Sequence, residues 1–564
     1  MCGIFASLSR SRHVCPNPRT AHLLDNRGPD CSHTLERSVA ANHPVYAVFR
    51  STVLGLRGAG VVSQPLTDAA SASVLCWNGE AWKLDQQPVS GNDAQAVADL
   101  LFKASTPQAE DRADGAQERM IAAISKIRGP YAFVFYDAPH KLLYFGRDCL
   151  GRRSLLQSTN EAGELVLSSI CDKTVSETWC EVEADGIYVA DLSASADTSV
   201  SWLSTKFPVT HIPYIYEGSE SPPAQSLILP YPPLNKALPE VSPIPLQQDS
   251  PAVELLKDHL MRSLRLRLQI QSAQPEYHAS VAILFSGGLD CTVLARLTHG
   301  ILPYDYPIDL LNVAFENPRI HRSRDTEDST FSPYEVCPDR MTGRASLAEL
   351  RRVCPERKWS FVEINVPYTE TLAHRDRVVA LMHPHSTEMD LSIAYALYFA
   401  SRGVGSRRES KLAGAIDYAT PARILLSGLG ADELFGGYQR HSTAFLRDGF
   451  AGLIDELELD INRLGKRNLG RDDRVISNWG KEVRFPYLDE ELLFWALNAP
   501  VWEKTGFGQE ASSDSDGSAK VEPGKKVLRL LAWMLGMEQL ASEKKRAIQF
   551  GARTAKMETG KTKG

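Results

Sequence analysis

The stretch Ser280-Val281-Ala282-Ile283-Leu284-Phe285-Ser286-Gly287-Gly288-Leu289-Asp290 passes abruptly from apolar to glycine-rich. An apolar run that stops at Ser-Gly-Gly predicts a buried parallel strand feeding a tight turn. From Leu289 to Leu297 the spacing is helical, and Gly300 supplies a stop. Strand, glycine turn and helix together make a geometry in which backbone N–H groups and a helix N-terminus face an anion. The glycines let the backbone approach a phosphate, and the Ser286 hydroxyl adds a donor. Asp290 would repel a phosphate unless Mg²⁺ lay between them. An ordinary glycine turn closing a buried strand accounts for the same residues, so the rest of the chain has to decide.

The G-x-x-x-x-G-K-[ST] phosphate loop is absent from this stretch. It resembles instead the pyrophosphate-binding loop of ATP pyrophosphatases, which cleave ATP to AMP and pyrophosphate. Around it, strand-like runs cover Ile308–Phe315, Trp359–Val366 and Ala422–Ser427. Helical spacing covers Ala252–Ile270, Leu347–Val353 and Leu391–Ser401, while 317–345 reads as an insertion rich in charge and turn formers. Such alternation predicts a doubly wound parallel sheet with ligands at the C-terminal strand ends. Leu284, Ser286, Gly287, Gly288, Asp290, Val313, Ser427 and Gly428 are then expected beside one ATP.

A second motif runs Leu426-Ser427-Gly428-Leu429-Gly430-Ala431-Asp432-Glu433-Leu434-Phe435-Gly436-Gly437-Tyr438. Asp432 is a candidate second carboxylate for Mg²⁺, opposite Asp290. Acidic residues also suit a helix N-terminus for dipole reasons alone, although that leaves the glycine density unexplained.

The chain opens Met1-Cys2-Gly3-Ile4-Phe5. If the initiator methionine is removed, Cys2 carries a free α-amine of unperturbed pKa near ~8, which can activate the thiol as a nucleophile. A small residue starting a strand is the plainer alternative. Arg27-Gly28-Pro29-Asp30, Leu56-Arg57-Gly58, Gln64-Pro65-Leu66, Trp77-Asn78-Gly79-Glu80 and Gly91-Asn92-Asp93 follow in order. With Cys2 this ordered set resembles the class II glutamine amidotransferase domain. Glutamine hydrolysis needs a thiolate, an oxyanion hole and partners for the α-carboxylate and α-ammonium. Asn78 with the Gly79 N–H suits the oxyanion hole, whose donors are worth roughly 3–4 kcal/mol each. Arg57 offers a planar fork to the carboxylate, and Asp93 and Glu80 can pair with the ammonium. Arg27–Asp30 reads as structural. So do Arg147, Asp148 and Gly151 in Gly146-Arg147-Asp148-Cys149-Leu150-Gly151-Arg152-Arg153, which resembles a turn of the same family.

The length, 564 residues, suits two or more domains. A net charge of −7, evenly mixed, gives no nucleic-acid footprint. No apolar run is long enough to span a membrane, and the N-terminus does not read as a signal peptide. Ten scattered cysteines without C-x-x-C pairs point to a reducing cytosol, hence a cytoplasmic protein. Prolines cluster between 205 and 250, predicting a partly extended linker between a domain over 2–204 and another over 251–555.

Ser477–Asp489, Gly524–Arg529 and Lys544–Gly551, taken with the nucleotide loop, resemble the synthetase half of glutamine-dependent asparagine synthetases. The insertion and the Lys545–Gly551 ending are most similar to the eukaryotic branch described as asparagine synthetase domain-containing proteins. The resemblance implies an N-terminal nucleophile glutaminase, two antiparallel sheets between helices, followed by an α/β synthetase domain of the adenine nucleotide alpha hydrolase type. It implies ATP, Mg²⁺, glutamine and aspartate as ligands, and it leaves room for a homodimer. Cys2 would release ammonia, and an aspartyl-adenylate would take it up, with Lys545 as the cation near the developing charge. A solvated lysine cluster is the alternative for Lys545. The family commonly places a glutamate where this chain has Leu429. Three readings follow: asparagine synthesis, amidation of another carboxylate, or a catalytically silent scaffold of the same build.

Overall fold

The computed structural model describes residues 2–39, 44–58, 60–108, 115–160, 162–172, 178–193, 207–268, 281–321, 332–408, 414–509 and 521–557. Ser280, the end of the expected helix at 269–270 and the middle of the expected insertion at 322–331 lie outside these residues.

Short alternating runs in the first half pair into two antiparallel sheets. One holds six strands in the order Thr178–Glu181, Leu156–Thr159, Leu165–Ser168, Gly3–Ser9, Val45–Val53 and Cys31–Val39. In the other, Gly186–Asp191, Leu142–Arg147, Tyr131–Asp137 and Val74–Gly79 lie side by side. Period-two alternation turns Ile4, Ala6, Leu8, Ala47 and Phe49 of the first sheet onto Cys76, Ala132, Val134 and Phe145 of the second. Helices Asp93–Ser105 and Gly115–Ile124 bury Val97, Leu101, Met120 and Ile124 against the outer face of the second sheet. Residues on the outer face of the first, Phe5, Val48 and Val166, join the core of the second domain. The expected αββα sandwich is therefore present, and the outer face of its first sheet is covered by the second domain.

The expected linker is partly a piece of this sandwich. Val209–Ile215 pairs antiparallel with Gly186–Asp191, and Leu227–Ile228 adds a further edge strand. Proline is tolerated on an edge, where the missing N–H is not needed by a neighbour. Pro213 enters the sheet despite the proline-rich context because Leu227–Ile228 pairs only with Tyr214 and Ile215, which leaves Pro213 on an unpaired stretch of that side. Beyond 228 the chain is irregular until helix Pro251–Arg267, whose first position is proline.

The second half forms a sheet in the order Ile416–Ala419, Val404–Arg407, Trp359–Val366, Ile308–Phe315, Val281–Leu284, Ile424–Leu426 and Glu482–Arg484. From Trp359–Val366 onward neighbouring strands are parallel; the first two form an antiparallel edge hairpin. Val281–Leu284 lies between Ile308–Phe315 and Ile424–Leu426, so strand order reverses at its far side. A switch point of this kind opens a crevice at the carboxyl ends of the two strands. Both glycine motifs leave the sheet there. Helix Pro338–Val353 begins inside the expected insertion, because Gly343 and Ser346 pack directly on the first glycine loop.

Candidate functional site

Gly287 has φ +80°, and a Cβ there would lie 2.4 Å from the Gly343 backbone. Only glycine fits this turn. Ser346 Oγ donates to the Gly287 carbonyl at 2.6 Å and fixes the loop from behind. Gly287 thus shapes the turn, whereas Leu284, Ser286, Gly288, Asp290, Val313, Ser427, Gly428 and Leu429 line a single cavity of about 710 Å³. That volume lies within the usual range for small-molecule sites. Helix Leu289–His299 starts at this cavity with its uncapped N-terminal N–H groups.

The acids Asp290 and Asp432 meet on Lys525, from the Gly524–Arg529 stretch, whose sequence alone gives it no role at this site. Lys525 Nζ lies 2.7 Å from both Asp290 carboxylate oxygens and 2.6 Å from Asp432 Oδ1. Burial opposes the charge on Lys525, but the two carboxylates outweigh it and push its pKa up to about 12. The Asp432 carboxyl is also buried, yet Lys525 and Lys545 hold it well below the usual range. Lys545 Nζ pairs with Asp432 Oδ2, so the expected C-terminal cation does reach the cavity.

Lys525 has φ 57°, a left-handed conformation unusual for a lysine, and its N–H donates to the Phe435 carbonyl at 2.8 Å. A Cβ on Gly437 would collide with Asp432 Oδ1 and Lys525 Cε, so this glycine clears room for the pair. Leu429 is half-buried in the cavity wall. Glu433 is buried, and its carboxylate accepts a 2.7 Å hydrogen bond from Tyr438 Oη.

Of the residues expected at the glutamine site, Cys2, Arg57, Asn78, Glu80 and Asp93 are buried and Gly79 is half-buried. Burial pushes the Cys2 thiol up to about 11. Arg27 Nε donates to the Cys2 carbonyl at 3.2 Å, and Arg27 Nη2 reaches Asp473 of the second domain at 2.7 Å. Asn78 is the penultimate residue of the strand Val74–Gly79, with its side-chain nitrogen and oxygen both unpartnered in the interior. A buried amide without a protein partner is free to hydrogen-bond a bound ligand. Arg57 donates to the Val89 carbonyl at 2.7 Å and the Ala81 carbonyl at 3.1 Å, and stands 3.5 Å from Glu80. Asp93, opening its helix behind the N-cap Asn92, accepts from Trp77 Nε1 and the Ala81 N–H. Burial raises the Glu80 and Asp93 carboxyls, against the pull of Arg484 on the first and Arg57 on the second.

The supporting turns are as structural as their sequence suggests. Asp148 accepts the N–H groups of Tyr131, Leu150 and Arg152, while Arg147 donates to the Arg153 carbonyl at 2.8 Å. The neighbouring Arg152 and Arg153 cross to Glu490 at 2.5 Å and Glu482 at 3.4 Å. Arg423 reaches back to Asp30 at 2.7 Å. These cross-domain partners were not legible in the sequence. Among the described residues no cluster of three or more His, Cys, Asp or Glu forms a metal cage, and no helix is long and apolar enough to cross a membrane.

Comparison with known proteins agrees with this architecture. Residues 1–200 match the family described as glutamine amidotransferase domain. Residues 268–455 and 451–546 match the family described as asparagine synthase. Asparagine synthetase domain-containing protein 1 of Mus musculus is 34% identical, covering 100% of this chain and 98% of the relative. The Homo sapiens protein of that name is 33% identical over 99% of this chain and 96% of its own length. An asparagine synthetase domain-containing protein of Saccharomyces cerevisiae is 31% identical, with 99% and 96% covered. With a sandwich and a switch-point sheet in that order, and relatives matched from end to end, the chain belongs to the asparagine synthetase domain-containing protein family.

Proposed function

We propose that this chain is a glutamine-dependent carbon–nitrogen ligase that makes asparagine from aspartate and ATP. The observation that carries the reading is the convergence of Asp290 and Asp432 on Lys525 at the strand switch point. Asp290 and Asp432 offer two carboxylates whose oxygens are held by Lys525 and Lys545. Mg²⁺, which keeps several waters and shares phosphate oxygens, would take these oxygens in place of the ammonium groups. Asp290 and Asp432 would hold it, and it would neutralise phosphate charge there.

At the first site the Cys2 thiolate attacks the glutamine carboxamide carbon, with the freed α-amine taking the thiol proton. Asn78 Nδ2 and the Gly79 N–H receive the oxyanion. Arg57 takes the α-carboxylate, and Glu80 and Asp93 the α-ammonium. Ammonia leaves and a thioester remains, which water hydrolyses to glutamate. At the second site the aspartate β-carboxylate attacks the α-phosphorus of ATP, forming the acyl-adenylate and releasing pyrophosphate. The glycine loops and the helix N-terminus at Leu289 orient the nucleotide. Lys525 and Lys545 supply positive charge where pyrophosphate charge develops. Ammonia then attacks the acyl carbon, and AMP departs.

Leu429 favours a second reading, in which the same machinery amidates another carboxylate. A leucine in the cavity wall neither takes a proton nor ligates a metal. Pyrophosphate release from ATP and Mg²⁺, with ammonia and a panel of carboxylates, separates the two. Aspartate-dependent release supports asparagine synthesis; release driven only by another acid selects the second reading.

A further inference from the structure

A single strand and its following turn touch both sites. Arg484 ends the strand Glu482–Arg484. Its carbonyl accepts the Ser427 N–H at 3.0 Å, at the root of the second glycine loop. Its guanidinium crosses into the amidotransferase domain, where Nη2 meets Glu80 Oε1 at 3.1 Å while Nε holds Glu482 at 2.6 Å. Both Arg484 and Arg57 lie over the Trp82 ring, at 5.1 and 5.9 Å from its centroid.

The turn that follows is bound as tightly. Tyr487 Oη donates to the Asp290 carbonyl at 3.1 Å, and a Cβ on Gly430 would lie 2.6 Å from Leu488. From the other side Arg153 donates to the Val483 carbonyl at 3.1 Å and Arg152 to the Leu488 carbonyl at 2.8 Å. Segment 482–488 is thus clamped between the nucleotide loops and the amidotransferase domain. Closely packed segments of this kind shift as units rather than deform gradually.

We propose that Arg484 is a positioning residue through which the nucleotide site governs the glutamine site, by occupying the Glu80 carboxylate that glutamine's ammonium requires. Resting as it does on the two-site function above, this names the route between the sites. Glu80 cannot serve Arg484 and the incoming ammonium equally. A shift of the Ser427 and Asp290 loops on nucleotide binding moves Arg484 through its own backbone and through Tyr487. Linkage makes the effect reciprocal: a glutamine-site ligand changes nucleotide affinity by the same factor.

The test uses the full chain and a diazoketone analogue of glutamine that alkylates the Cys2 thiol. The alkylation rate is followed by mass spectrometry, with and without Mg²⁺ and an ATP analogue carrying a β,γ-imido bridge. In the wild-type chain the nucleotide should change the rate about fivefold or more. In Arg484→Gln the ratio should fall to within about 1.5-fold of unity, and Arg484→Lys, which keeps a charge beside Glu80, should restore part of it. Tyr487→Phe removes one hydroxyl and keeps the ring, so it serves if Arg484→Gln misfolds; its ratio should fall too. A nucleotide effect of wild-type size in the folded variants overturns the proposal, as does wild-type alkylation that ignores the nucleotide. No wild-type alkylation at all overturns both this and the glutaminase function.

Discussion

Lys525 and Asp290 are 235 positions apart in the chain, yet the lysine ammonium sits 2.7 Å from both oxygens of the carboxylate. The pair lines the cavity at the strand switch point, and Asp432 joins it from the second glycine loop. Replacing Lys525 with methionine removes the cation proposed to meet the leaving pyrophosphate and leaves two acids facing each other. Ammonia-driven pyrophosphate release should drop by about 10²–10³, the usual effect of losing one preorganised electrostatic partner. Alkylation of Cys2 in the absence of nucleotide should persist. Steady-state kinetics beside thiol labelling checks both halves.

In the proposed reaction Cys2 serves one site only. In Cys2→Ser, glutamine-driven turnover should fall below detection while ammonia-driven turnover stays within about twofold of wild type, since a hydroxyl lacks the nucleophilicity of a thiolate. A chain that retains Met1 should behave the same way, because the α-amine needed as a base is then blocked. Parallel assays with glutamine and with ammonium chloride read the difference.

Arg27 and Asp473 form a fully buried ion pair across the domains at 2.7 Å. Asp473 also accepts the Ser154 N–H at 3.2 Å and faces Arg153 at 3.9 Å. Asp473→Ala leaves the buried Arg27 guanidinium without a carboxylate, while Arg153 keeps Glu482, and breaking a buried pair in this way typically costs about 3–5 kcal/mol. Denaturant unfolding should show that loss, and the Arg27→Met, Asp473→Leu double variant should recover much of it.

Acid should loosen the same interface. Arg152 beside Glu490, and Arg474 with Arg147 beside Glu181, hold both carboxyls well below the usual range despite burial. A depressed carboxyl contributes stability that is present above its unfolded value and lost as pH falls through the folded one. Thermal melts should therefore hold near neutrality and decline from about pH 4.5 downward. Glu490→Gln should be less stable at neutrality and show a shallower decline.

The fold was legible because each half repeats one physical pattern. An apolar run ending at a glycine turn marked Val281–Leu284, and the largely apolar runs Ile308–Phe315 and Trp359–Val366 have the bounds their residues suggest. Val209–Ile215 was hidden because proline density argues against a strand, and only edge position reconciles the two. Helix Pro338–Val353 was half hidden by its charged first turns. At the site, the motif acids could be named, but their partner could not. Lys525 holds its place through a left-handed backbone and a glycine at 437, neither of which leaves a periodic trace. Arg484 reaching Glu80 depends on how two domains pack, which local spacing does not encode.

The central claim is transfer of the glutamine amide nitrogen to aspartate, and it is most directly measured with glutamine labelled by ¹⁵N in the carboxamide. The full chain would be incubated with ATP, Mg²⁺ and aspartate, and the products weighed by mass spectrometry. The account predicts asparagine carrying ¹⁵N in its side-chain amide, in proportion to pyrophosphate released, and none from Cys2→Ser. Labelled ammonia accumulating without labelled asparagine, while ATP remains uncleaved in the presence of aspartate, would contradict it.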